Sequence, residues 1–349
     1  MKKLLFILIF SALLITPCCA APYDDAQLHD SLPDYADELI GDTAKEPQYG
    51  LSRLGNAFTE AVSGGLGGVI KRAVSIIAVA MICAVLAVFC DDAPEYVTLG
   101  GCAAIAIISV SDVNSFISSG ADVITTLSGF SKTLLPAMCA ASAACGTLSS
   151  ATVKYAASVL FMDSFVTVAQ SVILPLIYAY LAVGIAAAAF GNKSLCDISS
   201  LLKRLSTLLM IAVSLGFTAY ISISSIIASG GDAVASKFAK TAISTALPVV
   251  GGIISDAAST VVAGAESMRN TVGIFGMLAL LAVCVSPFAV MAVNYLGYKL
   301  TAVRAFGCKK LASLTDCIGS AIGMILGLAG CCAIILFVSM AASIKAVGG

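Results

Sequence analysis

Beyond residue 72, seven stretches of sixteen or more residues carry no Asp, Glu, Lys or Arg: residues 73–90, 96–111, 133–153, 164–192, 205–231, 270–298 and 317–344. A bilayer has a hydrocarbon core about 30 Å thick, and about 20 apolar helical residues cross it. The last four stretches are long enough to cross comfortably. The 73–90 stretch can cross with help from its neighbours, and 96–111 is marginal. The 133–153 stretch differs in kind, being dominated by Ala, Ser, Thr, Cys and Gly rather than by Leu, Ile and Val. Only 39 of the 349 residues are charged, less than half the share of a soluble domain, which is about 25%. So few charges cannot build a water-exposed surface for a chain of this size. The fold class is therefore an all-α polytopic membrane protein with about six transmembrane helices.

The amino terminus reads as a processing signal. In MKKLLFILIFSALLITPCCAA, two lysines precede an apolar core from Leu4 to Ile15, followed by small residues that allow cleavage after Ala20 or Ala21. That pattern is a secretory signal peptide over 1–21. A retained first transmembrane helix is the rival reading, but its apolar core is only a dozen residues. A lipid anchor on Cys18 is disfavoured by Pro17. Residues 22–50 hold eight acidic residues and one lysine, an extracytoplasmic segment expected to be extended or disordered. Leu51, Leu54, Phe58, Val62, Leu66 and Val69 then recur at helical spacing. They predict an amphipathic helix over 51–72, interrupted by GGLGG at 64–68. It could lie on the membrane surface, pack on a partner, or simply lead into the first transmembrane helix and turn at 73–95.

Residues 96–206 resemble 207–318, an internal parallel duplication. ISSGADVI at 117–124 parallels IASGGDAV at 227–234. After a two-residue slip the offset is 112, pairing Leu135–Pro136 with Leu247–Pro248, Pro175 with Pro287, and Cys196 with Cys308. The chain has only nine prolines, so two aligned at one offset argue for a repeat. A last transmembrane helix and short tail occupy 319–349, its run beginning at 317. Basic loops at 193–204 and 299–316 are cytoplasmic by the positive-inside rule. That places residues 112–163 and 232–269, the amino-terminal segment and the carboxyl terminus outside. Lys71 and Arg72, basic but on the outer side, are the main objection.

The weakly apolar segments at 133–153 and 241–265 each open with Thr and then Leu-Pro. Proline suits the first turn of a helix, where its missing N–H leaves no bond unmade. With Gly251, Gly252 and Asp256 following in the second copy, both segments read as re-entrant or interfacial helical hairpins. Leu135, Pro136, Leu247, Pro248, Gly251, Gly252 and Asp256 are then candidates to line a passage. Amphipathic packing helices with no permeation role fit the same residues. Pro175 and Pro287 predict kinks inside their helices. Gly319, Gly323 and Gly327 form two consecutive G-x-x-x-G patterns that admit a close helix, from this chain or by self-association with a second copy.

Several classes are excluded. The single histidine, His29, removes most His-dependent metal sites and Ser–His or Cys–His pairs. There is no P-loop motif, and the net charge of −1 shows no basic face for nucleic acid. No cofactor, metal or enzymatic activity is expected. Coupled carriers usually hold a charged group near mid-membrane; Asp122, Asp232 and Asp256 are the nearest candidates, and a solvated or interfacial position is the simpler reading of each.

The stretch ISTALPVVGGIISDAASTVVAGAESMRNTVGIFGML at 243–278 resembles the stage III sporulation protein AE family, with LPVVGGIISDA and NTVG its most characteristic parts. The rest of the chain matches that family in layout. The resemblance implies a subunit of the channel complex linking mother cell and forespore in endospore-forming bacteria, set in the outer forespore membrane. It further implies partners: other stage III sporulation membrane and ring subunits, a cytoplasmic secretion-type ATPase and a forespore partner protein, in a setting of membrane lipid. No catalytic residue carries over. The competing readings are an independent secondary transporter for a small solute and a purely structural scaffold of the complex.

Overall fold

The computed structural model describes residues 47–89, 94–144, 148–246, 251–303 and 309–345. The signal peptide and nearly all of the acidic segment lie outside them. All elements among the described residues are helical: α1 (Pro47–Phe89), α2 (Pro94–Ala144), α3 (Leu148–Val168), a π-helical turn (Ala169–Ile173), α4 (Leu174–Phe190), α5 (Lys193–Ala246), α6 (Gly251–Val303) and α7 (Lys309–Lys345). Six helices are long and apolar enough to cross a membrane, spanning Ser52–Phe89, Glu95–Met138, Ser158–Phe190, Lys193–Phe217, Gly276–Ala302 and Lys309–Met340. Long unbroken helices are the expected form for such a chain, because a helix pairs its backbone groups internally where no water is available.

That rule also explains two departures from the sequence reading. The GGLGG segment does not interrupt α1, which runs through it as one helix. Four glycines cost helix stability, about 1 kcal/mol each relative to alanine. Opening the helix at membrane depth would leave several peptide groups unpaired, which costs more. Packing supports continuity too: Val62, Leu66, Val69 and Ile70 share an apolar groove with Val293, Leu296 and Leu300 of α6. Similarly, Pro136 lies inside α2, not in the first turn of a new helix. Leu134, Leu135 and Met138 are all buried in the core, and this packing carries α2 past its proline to Ala144.

Among the described residues, the two basic stretches are likewise helix ends. Residues 193–204 form the first turns of α5, and 299–303 and 309–316 belong to α6 and α7. The turn between α4 and α5 is only Gly191 and Asn192. Gly191 takes a left-handed φ of 66° and donates its N–H to the Ala187 carbonyl at 2.9 Å. Asn192 then caps α5, its Oδ1 accepting from the Ser194 N–H at 2.9 Å.

α7 is the centre of the bundle and packs against α6, α2, α4, α5 and α3. Its inner face, from Leu311 through Ile318, Ile325 and Cys332 to Met340, is almost fully buried. Half of the most apolar window of α7, and half of that of α6, is buried, against 17% for α1 and α5. The latter two form the rim. Tyr298 of α6 packs 3.1 Å from where a Gly319 side chain would begin, and the Tyr295 ring covers Gly323. Gly327 faces open space.

Pro175 follows directly on the π-helical turn. The Leu174 N–H reaches back to the Ala169 carbonyl, an i to i−5 bond, one residue before the proline whose own N–H is missing. The wider turn absorbs the proline's bulk without opening the rod. Pro287 sits inside α6, which is assigned as one α-helix throughout.

Candidate passage wall

One face of α2 points away from the bundle from Tyr96 to Lys132. It begins with Tyr96, Leu99, Ala103, Ile107 and Val110, and continues with Ser111, Asn114, Ser115, Ser118, Asp122, Thr125, Gly129 and Lys132, all exposed. Their spacing of three and four residues keeps them on one stripe. Its chemistry switches at Ser111. The opposite face is buried and mostly apolar, with Ile105, Val113, Phe116, Ile117, Ile124, Leu127, Phe130 and Leu134 and the serines Ser109, Ser128 and Ser131.

Contacts to α6 and α7 fix the depth of the polar half. Arg72 of α1 pairs with Asp112 at 2.5 Å and also donates to the Asn294 side chain of α6. A Gly120 side chain would begin against Ile325 of α7. Leu134 and Met340 both close on Gly276 of α6. Residues 112–134 of α2 therefore run beside 294–276 of α6 and 325–340 of α7, the charge-free cores of those helices. The sequence topology set residues 112–163 on the outer side and took 73–90 and 96–111 as two spans. In the structure those two runs form a hairpin displaced along the bundle axis. Gly101 meets Cys83 and Leu311 there, beside the first turn of α7. Arg72, assigned to the outer side from sequence, lines a small cavity with Tyr298, at the inner end of the 270–298 run.

Three ionisable groups stand along the polar half of α2, at 112, 122 and 132. Ten helical residues separate each from the next, about 15 Å. The outer two are compensated: Asp112 by Arg72, and Lys132 by Asp163 of α3 at 3.5 Å. Asp122, midway between, has no ion-pair partner among the described residues. It lines a cleft of about 400 Å³ with Ser115, Ser119, Val123 and Thr126 of α2 and Ser286, Pro287 and Val290 of α6. On the other flank, α3 and α4 supply polar contacts to the same stripe. The Gln170 amide, on the π-helical turn, donates to Thr125 Oγ1 at 3.4 Å, and the Tyr178 hydroxyl donates to Asn114 Oδ1 at 3.3 Å.

A second polar cluster closes the bundle near the basic helix ends. Lys203 of α5 and Lys299 of α6 both donate to Ser320 Oγ of α7, at 3.0 and 2.8 Å, and Lys299 also pairs with Asp316 at 2.6 Å. Basic residues from the two basic stretches thus converge on one hydroxyl.

Of the passage residues expected from sequence, Leu135 is buried in the α2 core and Pro136 lies beside it, partly exposed, neither on the polar stripe. Leu247 and Pro248 lie outside the described residues. Gly251, Gly252 and Asp256 fall in the first turns of α6, where side chains lie outside those described, as does that of Asp232. Pro287 and Asp122 meet in the cleft, a pairing that sequence distance concealed. The stripe itself was missed because only the absence of charge was used to locate membrane segments. The signal that would have found it is the 3.6-residue alternation of Ser, Asn, Asp and Thr with Val, Phe, Ile and Leu over 111–134.

The family described as stage III sporulation protein AE matches residues 35–347. A curated Bacillus subtilis protein, "Stage III sporulation protein AE", is 24% identical over 241 residues, covering 67% of this chain and 60% of that protein's length. The match thus spans less than two thirds of the relative. No solved structure matches the chain.

Proposed function

The chain belongs to the stage III sporulation protein AE family, and from that premise we propose that it is an integral membrane subunit of the channel complex joining mother cell and forespore, where it forms or gates the membrane passage. The observation that carries this reading is the polar stripe of α2 at the depth of the charge-free cores of α6 and α7. A stripe of hydroxyl, amide and carboxylate groups facing acyl chains would forfeit its hydrogen bonds, at a cost of kilocalories per group. Facing water or a polar partner, it loses nothing. Non-apolar surface at membrane depth belongs to cavities and protein contacts. The remainder of the assignment comes from the family: the outer forespore membrane as location, a cytoplasmic secretion-type ATPase as energy source, ring subunits between the membranes and a forespore partner. The basic helix ends around Lys203, Arg204 and Lys309 offer a docking face for that ATPase. The reading gives the chain no enzymatic step and no cofactor.

Asp122, uncompensated in its cleft, favours a second reading, a secondary transporter in which that carboxylate couples solute movement. The two part on two measurements. In-frame deletion should arrest sporulation after engulfment and leave vegetative growth unchanged, with purified protein in liposomes taking up no solute. A vegetative growth defect, together with liposome uptake abolished by Asp122→Asn, would replace the channel subunit with the carrier. A purely structural scaffold would tolerate charged or bulky substitutions along the α2 stripe so long as the complex assembled.

A further inference from the structure

We propose that the α2/α6 cleft is a cation site of the passage, with Asp122 as the group that makes it favour cations over anions. This inference rests on the reading of α2 as a water-facing wall. The charges along α2 are its basis. Asp112 and Lys132, about 30 Å apart along the helix, are each held by an opposite charge, from Arg72 and Asp163. The segment between them matches the thickness of a hydrocarbon core. At its midpoint stands one carboxylate with no ion-pair partner among the described residues, and no basic side chain lines its cleft.

The cleft walls fit the same ligand class. Ser115, Ser119 and Thr126 of α2 and Ser286 of α6 surround Asp122 with hydroxyl oxygens. Hydroxyls and a carboxylate are hard oxygen donors, suited to alkali cations and to ammonium groups and unsuited to soft metals. A volume of about 400 Å³ holds such a cation with several of its waters, so it need not be stripped of its hydration shell to enter. The α6 side of the cleft is set by Pro287, which lacks the N–H of a regular helical residue. At membrane depth one uncompensated carboxylate is felt more strongly than at a solvated surface, because the surrounding helices screen it poorly. The cleft therefore concentrates cations where the passage crosses the bundle.

The test uses membranes from sporulating cells that hold the full chain and its partners, with the thirteen native cysteines replaced by alanine. Ser119→Cys places a thiol one helical turn from Asp122, and Ser115→Cys places one two turns away. Each is treated with a cationic reagent, 2-(trimethylammonium)ethyl methanethiosulfonate, and with an anionic one, 2-sulfonatoethyl methanethiosulfonate. Rates are normalised to those on free thiol. The proposal expects about tenfold faster reaction with the cationic reagent at position 119 and a smaller preference at 115. Asp122→Asn should reduce both ratios to near one, and Asp122→Glu should keep them. Equal rates with Asp122 intact, or a preference that survives Asp122→Asn, would overturn the cation site and leave the water-facing wall standing. Failure of both thiols to react with either reagent, in protein that accumulates normally, would overturn the wall itself and this inference with it.

Discussion

The two halves of α2 differ in what they show to the outside. From Tyr96 to Val110 the outward stripe is apolar, with Ile107 75% and Val110 58% exposed. From Ser111 to Lys132 the same stripe carries serines, a threonine, an asparagine, a carboxylate and an ammonium. The inward face does not change: both halves bury aliphatic and aromatic side chains against the bundle. Core packing therefore demands the same of both halves. The difference lies in what the outward stripe can face: an apolar cover suits the first half, and water or a polar partner the second. This is the point at which a local sequence pattern becomes a statement about function.

The comparison can be broken by placing one charge on each kind of surface at the same depth. Lysine at the centre of a lipid-facing helix costs about 2.5–3.5 kcal/mol on insertion scales. Val172→Lys, at an exposed apolar position of the π-helical turn, should therefore lower the membrane-inserted protein about tenfold or more, while Ser118→Lys should alter it by no more than about twofold, read by immunoblot of washed membranes. Similar losses from both would show that the two positions face the same medium. A smaller effect sharpens the depth assignment. A side chain at Gly120 would begin 2.2 Å from Ile325, so Gly120→Leu should force α2 from α7 and cost about 1–3 kcal/mol. Gly327→Leu meets nothing within 4 Å and should stay within about 0.5 kcal/mol. Thermal unfolding in detergent measures both. A large loss at Gly327 would mean that a partner helix occupies that face.

Helix content and the number of helices able to cross a membrane were legible in the sequence because both follow from one strong signal, the length of charge-free apolar runs. Axial placement was not. The runs 73–90 and 96–111 look like the others, but whether a helix sits level with its neighbours depends on contacts hundreds of residues apart, such as Arg72 with Asn294. The same holds for local breaks. GGLGG and Leu-Pro carry strong breaking propensities, and burial around Leu134 and Leu135 and contact with α6 override them. At Pro175 the structure adds what the sequence does not show, a π-helical turn just before the proline. The site was partly legible. Asp122 and Pro287 were each singled out, but their meeting in one cleft needed the fold, since 165 positions separate them.

The central claim is that residues 111–132 of α2 face water at the depth where neighbouring helices face lipid. Spin labels at Ser118 and at Val172 test it most directly. Val172 is exposed on the π-helical turn between Gln170, which bonds Thr125, and Tyr178, which bonds Asn114, so the two labels lie within about one helical turn of each other in depth. In bilayers holding the assembled complex, relaxation by a water-soluble nickel chelate should dominate at 118 and relaxation by dissolved oxygen at 172. Oxygen-dominated relaxation at both positions would contradict the account, because α2 would then present its polar stripe to lipid. Chelate-dominated relaxation at both would contradict it equally, by placing this whole layer of the bundle outside the membrane.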